Sequence, residues 1–134
     1  MAIRVGIIGL GYFSQFHLAS WAANPDVALI GATDASLERC NWAQSEYGTK
    51  IFTETAGLLS QELDVLDIVA PPKAHATLVK QALGNVRVII CQKPFCESLD
   101  EAEALTEMAK NSGTTLIIHE NFRFQPWYRT IKSL

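Results

Sequence analysis

The 134 residues are 49% hydrophobic and 19% charged, with eight Gly, five Pro and three Cys. That is the makeup of a globular domain and lies outside the ranges of disordered or collagen-like chains. The length predicts one domain that needs no disulfide or metal staple, and a second full domain does not fit. Eleven Lys and Arg against fourteen Asp and Glu give a net charge of −3, and no basic run stands out to neutralise phosphates, so nucleic acid is not the expected partner.

Cys40, Cys91 and Cys96 are an odd number without zinc-type spacing, which fits a reducing, cytoplasmic location and no metal site. Val5 to Pro25 carries no Asp, Glu, Lys or Arg, yet it reads as neither a membrane span nor a signal peptide. Ser14, Gln15, His17, Ser20 and Asn24 interrupt it, and its period changes midway, as in a strand followed by a helix.

Ile3 to Ile8 is a short apolar run rich in branched side chains, broken by Gly9 and Gly11, with Phe13, Phe16, Ala19 and Ala23 following in helical spacing. Strand, tight turn and helix are predicted. The pattern recurs as a strand over Val27 to Thr33, a helix over Ser36 to Tyr47 ending before Gly48, a short strand over Lys50 to Phe52, and a brief helix near Ala56 to Leu63. Leu66 to Ala70 is the fourth strand. His75, Leu78, Val79, Ala82 and Leu83 then form one helical face that stops at Gly84. Val86 to Cys91 is the fifth strand. Ser98 and Glu101 fit a capping box for a helix through Ala102, Leu105 and Ala109 that stops at Gly113, and Thr115 to His119 is the sixth strand.

Alternating helices and near-continuous apolar strands predict an α/β fold: a doubly wound parallel sheet of the Rossmann type, six strands in the order 3-2-1-4-5-6. The tail from Asn121 to Leu134 carries Phe122, Phe124, Trp127, Tyr128 and Ile131. It is too apolar for a free terminus and is expected to begin a connection to something larger.

Four segments fall at predicted carboxyl ends of strands. In Gly9-Leu10-Gly11-Tyr12-Phe13-Ser14 the glycines allow the turn and the close approach that a pyrophosphate at a helix N-terminus requires, and Ser14 stands where Gly or Ala is usual. Asp34 ends the second strand at the distance expected of the acid that takes adenosine ribose hydroxyls. A carboxylate there argues for NAD over NADP. Capping the next helix is the competing role, for which Ser36 is better placed. Ala70-Pro71-Pro72-Lys73-Ala74-His75 lies where the strand order reverses and borders the cofactor crevice, although His75 could instead pack or cap its helix. Cys91-Gln92-Lys93-Pro94 brings a lysine to the same crevice, where its charge and three donors suit acid–base work; a solvated loop lysine is the plainer reading. Lys93-Pro94 is a candidate cis peptide. Cys91 reads as a small buried hydrophobe.

These motifs, in this order, with Asn121-Phe122-Arg123-Phe124-Gln125-Pro126 after the last strand, resemble the glucose-fructose oxidoreductase, inositol dehydrogenase and rhizopine-catabolism (Gfo/Idh/MocA) family over nearly the whole chain. The resemblance implies an NAD(P)-binding domain over residues 1–120, with 121–134 starting the connection to a C-terminal α/β domain absent from this chain. It implies nicotinamide-dependent hydride transfer on a sugar, polyol or related hydroxy compound.

By position, Gly9, Gly11, Tyr12, Phe13 and Ser14 match the phosphate loop, Asp34 the ribose acid, and His17 a frequent histidine of structural role. Ala70, Pro71, Pro72 and His75 fall on Thr-Pro-Asn-x-x-His, with Ala70 and Pro72 as departures. Gln92, Lys93 and Pro94 match Glu-Lys-Pro, the amide losing the charge that would pair with Lys93. Asn121 matches a position near the nicotinamide end and Arg123 a structural one. Lys93 is the implied catalytic residue, working with acid–base groups of the second domain. Gln-Lys-Pro and His-Glu-Asn-Phe-Arg look like a subgroup that includes apiose-type sugar dehydrogenases. A homo-oligomer is expected, and the chain alone is expected to bind dinucleotide weakly and turn over little. The rival reading is a non-catalytic dinucleotide sensor or regulator.

Overall fold

A computed structural model describes all 134 residues. Strands β1 (Ile3–Ile8), β2 (Val27–Thr33), β3 (Val65–Ile68), β4 (Val88–Gln92) and β5 (Thr115–His119) pair in parallel in one sheet of order β2-β1-β3-β4-β5. Helices α1 (Ser14–Ala23), α2 (Leu37–Tyr47), α3 (Thr55–Leu59), α4 (Pro72–Ala82) and α5 (Leu99–Ser112) are the connections, and a 3-10 turn (Asn121–Phe124) with helix α6 (Pro126–Lys132) follows β5.

The expected six strands are therefore five. Lys50 to Phe52 lies outside β2 as predicted, but meets it through a single parallel bridge, Ala32 to Ile51. The bridge holds by Ala32 N–H donating to Lys50 O at 2.8 Å and Phe52 N–H to Ala32 O at 2.9 Å. Three residues between Thr49 and the turn into α3 leave no length for a ladder. The spatial arrangement expected of the sheet stands with its outermost strand reduced to that bridge.

Successive strand residues face opposite sides, so β1 feeds two cores. Ile7 packs with Leu10, Leu18, Ala32, Cys40, Ala43 and Val69 beneath α1 and α2. Ile8 packs with Leu58, Leu66, Ile68, Val79, Ile89 and Leu105 beneath α3, α4 and α5. Each fully buried Leu or Ile contributes about 1.5–3 kcal/mol, and together they fix the carboxyl ends of β1 to β4 along one edge. On the α1 face, β4 and β5 have no covering helix, and Ile117 stays exposed. Phe122, Phe124, Trp127, Tyr128 and Ile131 of the tail are exposed as well.

Local signals place the helix ends. Ser36 Oγ accepts from Arg39 N–H at 3.4 Å and Ser98 Oγ from Glu101 N–H at 3.3 Å. Gly48 (φ 64°) and Gly113 (φ 74°) end the same two helices in the left-handed region. Helix α1 differs: it has no side-chain cap and no acidic residue in its first turn, so its N-terminus is left open for another acceptor.

Candidate cofactor site

That open helix end borders a cleft of about 1280 Å³ at the carboxyl ends of β1, β2 and β3. Gly9 and Gly11 build its floor in different ways. Gly9 has φ 96°, and a Cβ there would fall 2.5 Å from Ala70 N, so glycine is what lets β1 turn against the end of β3. A Cβ at Gly11 would meet nothing within 4 Å; it would project into open space beside the cleft.

The N–H groups of Gly11, Tyr12 and Phe13 donate to no acceptor in the chain. Consecutive free amides at a helix N-terminus form an anion cradle. Ser14 closes the loop from below: fully buried, its hydroxyl donates to Gly11 O at 2.6 Å, which satisfies the extra polar group this serine brings.

Asp34 sits on the cleft wall after β2. Its Oδ2 accepts from Leu10 N–H at 2.6 Å and its Oδ1 from Ser36 N–H at 2.7 Å. The carboxylate thus ties the glycine turn to the start of α2, while Ser36 caps that helix. A carboxylate offers about four acceptor positions, so two remain for hydroxyl donors in the cleft. Ala70, Pro71 and Gln92 line it from the ends of β3 and β4, and Thr53, Glu54 and Thr55 at the start of α3 line it as well, a contribution with no sign in the sequence.

Three other sequence-chosen residues do not line this cleft. His75 is fully buried; its Nε2 lies 2.7 Å from Ala70 O and its Nδ1 3.0 Å from Pro94 O. The ring is a strut between the Pro71 segment and the Lys93 loop, and its hydrogen-bonding atoms are spent on main-chain carbonyls. Lys93 directly follows β4 and is joined to Pro94 by a cis peptide bond. Its Nζ lies 4.9 Å from the centre of the Phe122 ring and makes no ion pair, a cation–π contact. Asn121 lines a second cavity of about 820 Å³ between α1, β4 and β5, where its buried Oδ1 has no partner.

The sequence reading missed a buried polar cluster under Gln92. Asp67, 1% exposed in the middle of β3, accepts from Trp21 Nε1–H at 2.7 Å, and its Oδ2 lies 2.7 Å from His17 Nδ1. Gln92 Nε2 lies 3.2 Å from His17 Nε2 and 3.1 Å from His119 Nδ1. The available signal was a lone carboxylate inside the apolar run Leu66 to Ala70. Burial, then the nearby His17, holds His119 below the ordinary histidine range. Burial pushes the Cys91 thiol up to about 12, so Cys91 is the inert apolar filler its sequence context suggested. No group of three or more His, Cys, Asp or Glu is placed to hold a metal ion, and no helix is long and apolar enough to cross a membrane.

A glycine turn with free amides, an uncapped helix end and an acid after β2 define a dinucleotide-binding Rossmann domain. Residues 3–120 match the oxidoreductase family with the NAD-binding Rossmann fold, Gfo/Idh/MocA, and the chain belongs to that family. It is 36% identical over 122 residues to a D-apiose dehydrogenase of Paraburkholderia graminis, covering 90% of this chain and 32% of that protein. It is 27% identical over 134 residues to a D-apiose dehydrogenase of Rhizobium rhizogenes, covering 98% and 39%. Among solved structures, an oxidoreductase from Agrobacterium radiobacter in complex with NAD+, L-tartaric acid and magnesium superposes with a TM-score of 0.92 at 27% identity, over 99% of this chain and 40% of that one. The chain thus spans 32% to 40% of the length of these relatives.

Proposed function

We propose that this chain is the cofactor-holding part of an NAD-dependent dehydrogenase acting on a sugar or polyol. The observation that carries the reading is the meeting, at one cleft, of the free amides of Gly11, Tyr12 and Phe13 with the carboxylate of Asp34. NAD, when bound, supplies a hydride acceptor at the nicotinamide ring.

The amides of the Gly9–Phe13 turn would take the pyrophosphate with Ser14 bracing the turn, and the two spare acceptor positions of Asp34 would take ribose hydroxyls. Ala70, Pro71 and Gln92 would form the wall toward the reacting end, braced by His75. Lys93 would hold or release the proton of the substrate hydroxyl, and Asn121 would offer an amide beside it. Because Asp34 would repel a 2′-phosphate, NAD is favoured over NADP. The two D-apiose dehydrogenases make a free sugar the first substrate to try. Residues 1–120 are the cofactor domain in this reading, and 121–134 lead toward a second α/β domain that would supply the remaining acid–base groups.

Calorimetric titration with NADH is expected to show one site per chain and weaker binding of NADPH. Absence of heat with either would refute the reading. The rival, a dinucleotide sensor, draws on Gln92, which lacks the carboxylate that would pair with Lys93. It shares the binding result but requires no Lys93-dependent turnover.

Ile117 on β5 and the tail residues Phe122, Phe124, Trp127, Tyr128 and Ile131 are exposed apolar side chains of the kind that drive association. Sedimentation of the chain is expected to show concentration-dependent self-association. A sharp monomer across the whole concentration range would show that these side chains are inert.

A further inference from the structure

Gln92 is the one side chain that touches the cofactor cleft, the buried cluster and Lys93 at once. Its amide orientation follows from chemistry. Lys93 N–H can only donate, so the Gln92 atom 2.9 Å from it is Oε1, and the NH2 group faces the two imidazoles. Its two hydrogens meet His17 Nε2 and His119 Nδ1, so both of those nitrogens must be bare acceptors. His17 then carries its hydrogen on Nδ1 and donates it to Asp67, and His119 carries its hydrogen on Nε2.

A proton arriving at His119 Nδ1 would set N–H against N–H. Rotating the amide by half a turn would relieve that clash, but would turn the NH2 group onto Lys93 N–H, donor against donor. No orientation of Gln92 serves a protonated imidazole and the Lys93 main chain together.

We propose that Gln92 is a positioning residue for Lys93, holding its main chain only while His17 and His119 are unprotonated at the nitrogens that face it. The catalytic meaning of this device rests on the role given to Lys93 above; the hydrogen-bond array itself does not. Around His119 stand His17 from α1, Asp67 from β3, Lys93 after β4 and Glu120 after β5. Burial and His17 disfavour the added proton, with Lys93 in support, while Asp67 and Glu120 oppose them. Burial and His17 prevail, so His119 takes the added proton only below the ordinary histidine range, and the array opens at that step.

Nitrogen-15 NMR of the 134-residue chain tests this directly. At pH 7.5, His17 is expected in its Nδ1–H form and His119 in its Nε2–H form. On acidification, the Lys93 amide resonance should move with the midpoint of His119. In Gln92→Glu a carboxylate accepts from imidazolium and amide alike, so the His119 midpoint should rise by about one pH unit or more and the Lys93 amide should lose its pH response. Gln92→Met, which has no amide, should free the Lys93 N–H at every pH. His17 protonated at Nε2 in the neutral chain, or a Lys93 amide indifferent to His119, would overturn the proposal. An NADH titration of the same sample separates the two readings, since an intact array without NADH binding would sink the dehydrogenase and leave the array standing.

Discussion

Gly9→Ala is expected to cost roughly 2–6 kcal/mol, combining left-handed backbone strain with an overpacked contact. The domain as a whole is worth only about 5–15 kcal/mol, so thermal unfolding should show a large fall in midpoint or no folded protein. The new Cβ would lie 2.5 Å from Ala70 N, 2.7 Å from Ala70 Cα and 2.7 Å from Val69 C, at φ 96°. All three atoms are main chain, and none can yield without loosening Val69 N–H to Ile8 O at 2.8 Å or Gly9 N–H to Thr33 O at 2.9 Å. Gly11→Ala is its counterpart. Its Cβ meets nothing in the chain, so the midpoint should hardly move, while NADH affinity should fall about tenfold or more, a loss of roughly 1.4 kcal/mol. Thermal melts beside calorimetric titrations read both. A Gly11→Ala chain that binds NADH like its parent would place the pyrophosphate elsewhere.

These two glycines also show what a sequence can carry. A glycine after a branched apolar run announces a turn, and β1, β2 and β5 fall on the runs Ile3–Ile8, Val27–Thr33 and Thr115–His119. Ser36, Gly48, Ser98 and Gly113 mark helix ends because capping is a property of a few neighbouring residues. The Lys50 to Phe52 segment misleads for the same reason. Its composition suits a strand, but ladder length is set by how soon the chain must leave for α3, and one bridge is all it forms.

At the site, Gly9, Gly11, Tyr12, Phe13, Asp34, Ala70, Pro71 and Gln92 meet at one cleft, because strand ends in a doubly wound sheet converge whatever their sequence separation, whereas the side contributed by Thr53, Glu54, Thr55, Ala56 and Ser60 carried no signal in the sequence. Side-chain partnerships were not legible either. His75 follows a turn that borders the crevice, yet its ring points inward to carbonyls of Ala70 and Pro94. Asp67 meets His17 and Trp21 across 50 and 46 residues, a pairing that only the packing of α1 on β3 creates.

Asp67→Leu is expected to destabilise the chain by roughly 2–4 kcal/mol, because His17 Nδ1–H loses its acceptor in a dry setting, at about 1–3 kcal/mol for each donor left unpaired. Trp21 Nε1–H loses the same acceptor, on a side chain that is only half-buried. For a chain of this size the midpoint should fall by roughly 6–20 °C. Asp67→Asn separates acceptor from charge: its amide oxygen can still accept from both His17 and Trp21, and its NH2 group would stand where Asp67 Oδ1 now has no partner. If accepting those two donors is what matters, the Asn chain should melt within a few degrees of the parent and keep His17 in its Nδ1–H form. If the negative charge matters, both variants should fall together. A Leu chain as stable as the parent would show that the cluster adds nothing to net stability, the outcome known for some buried charges replaced by well-packed apolar side chains. Its retention would then have to come from what it positions, namely Gln92 at the cleft wall and Lys93 beside it.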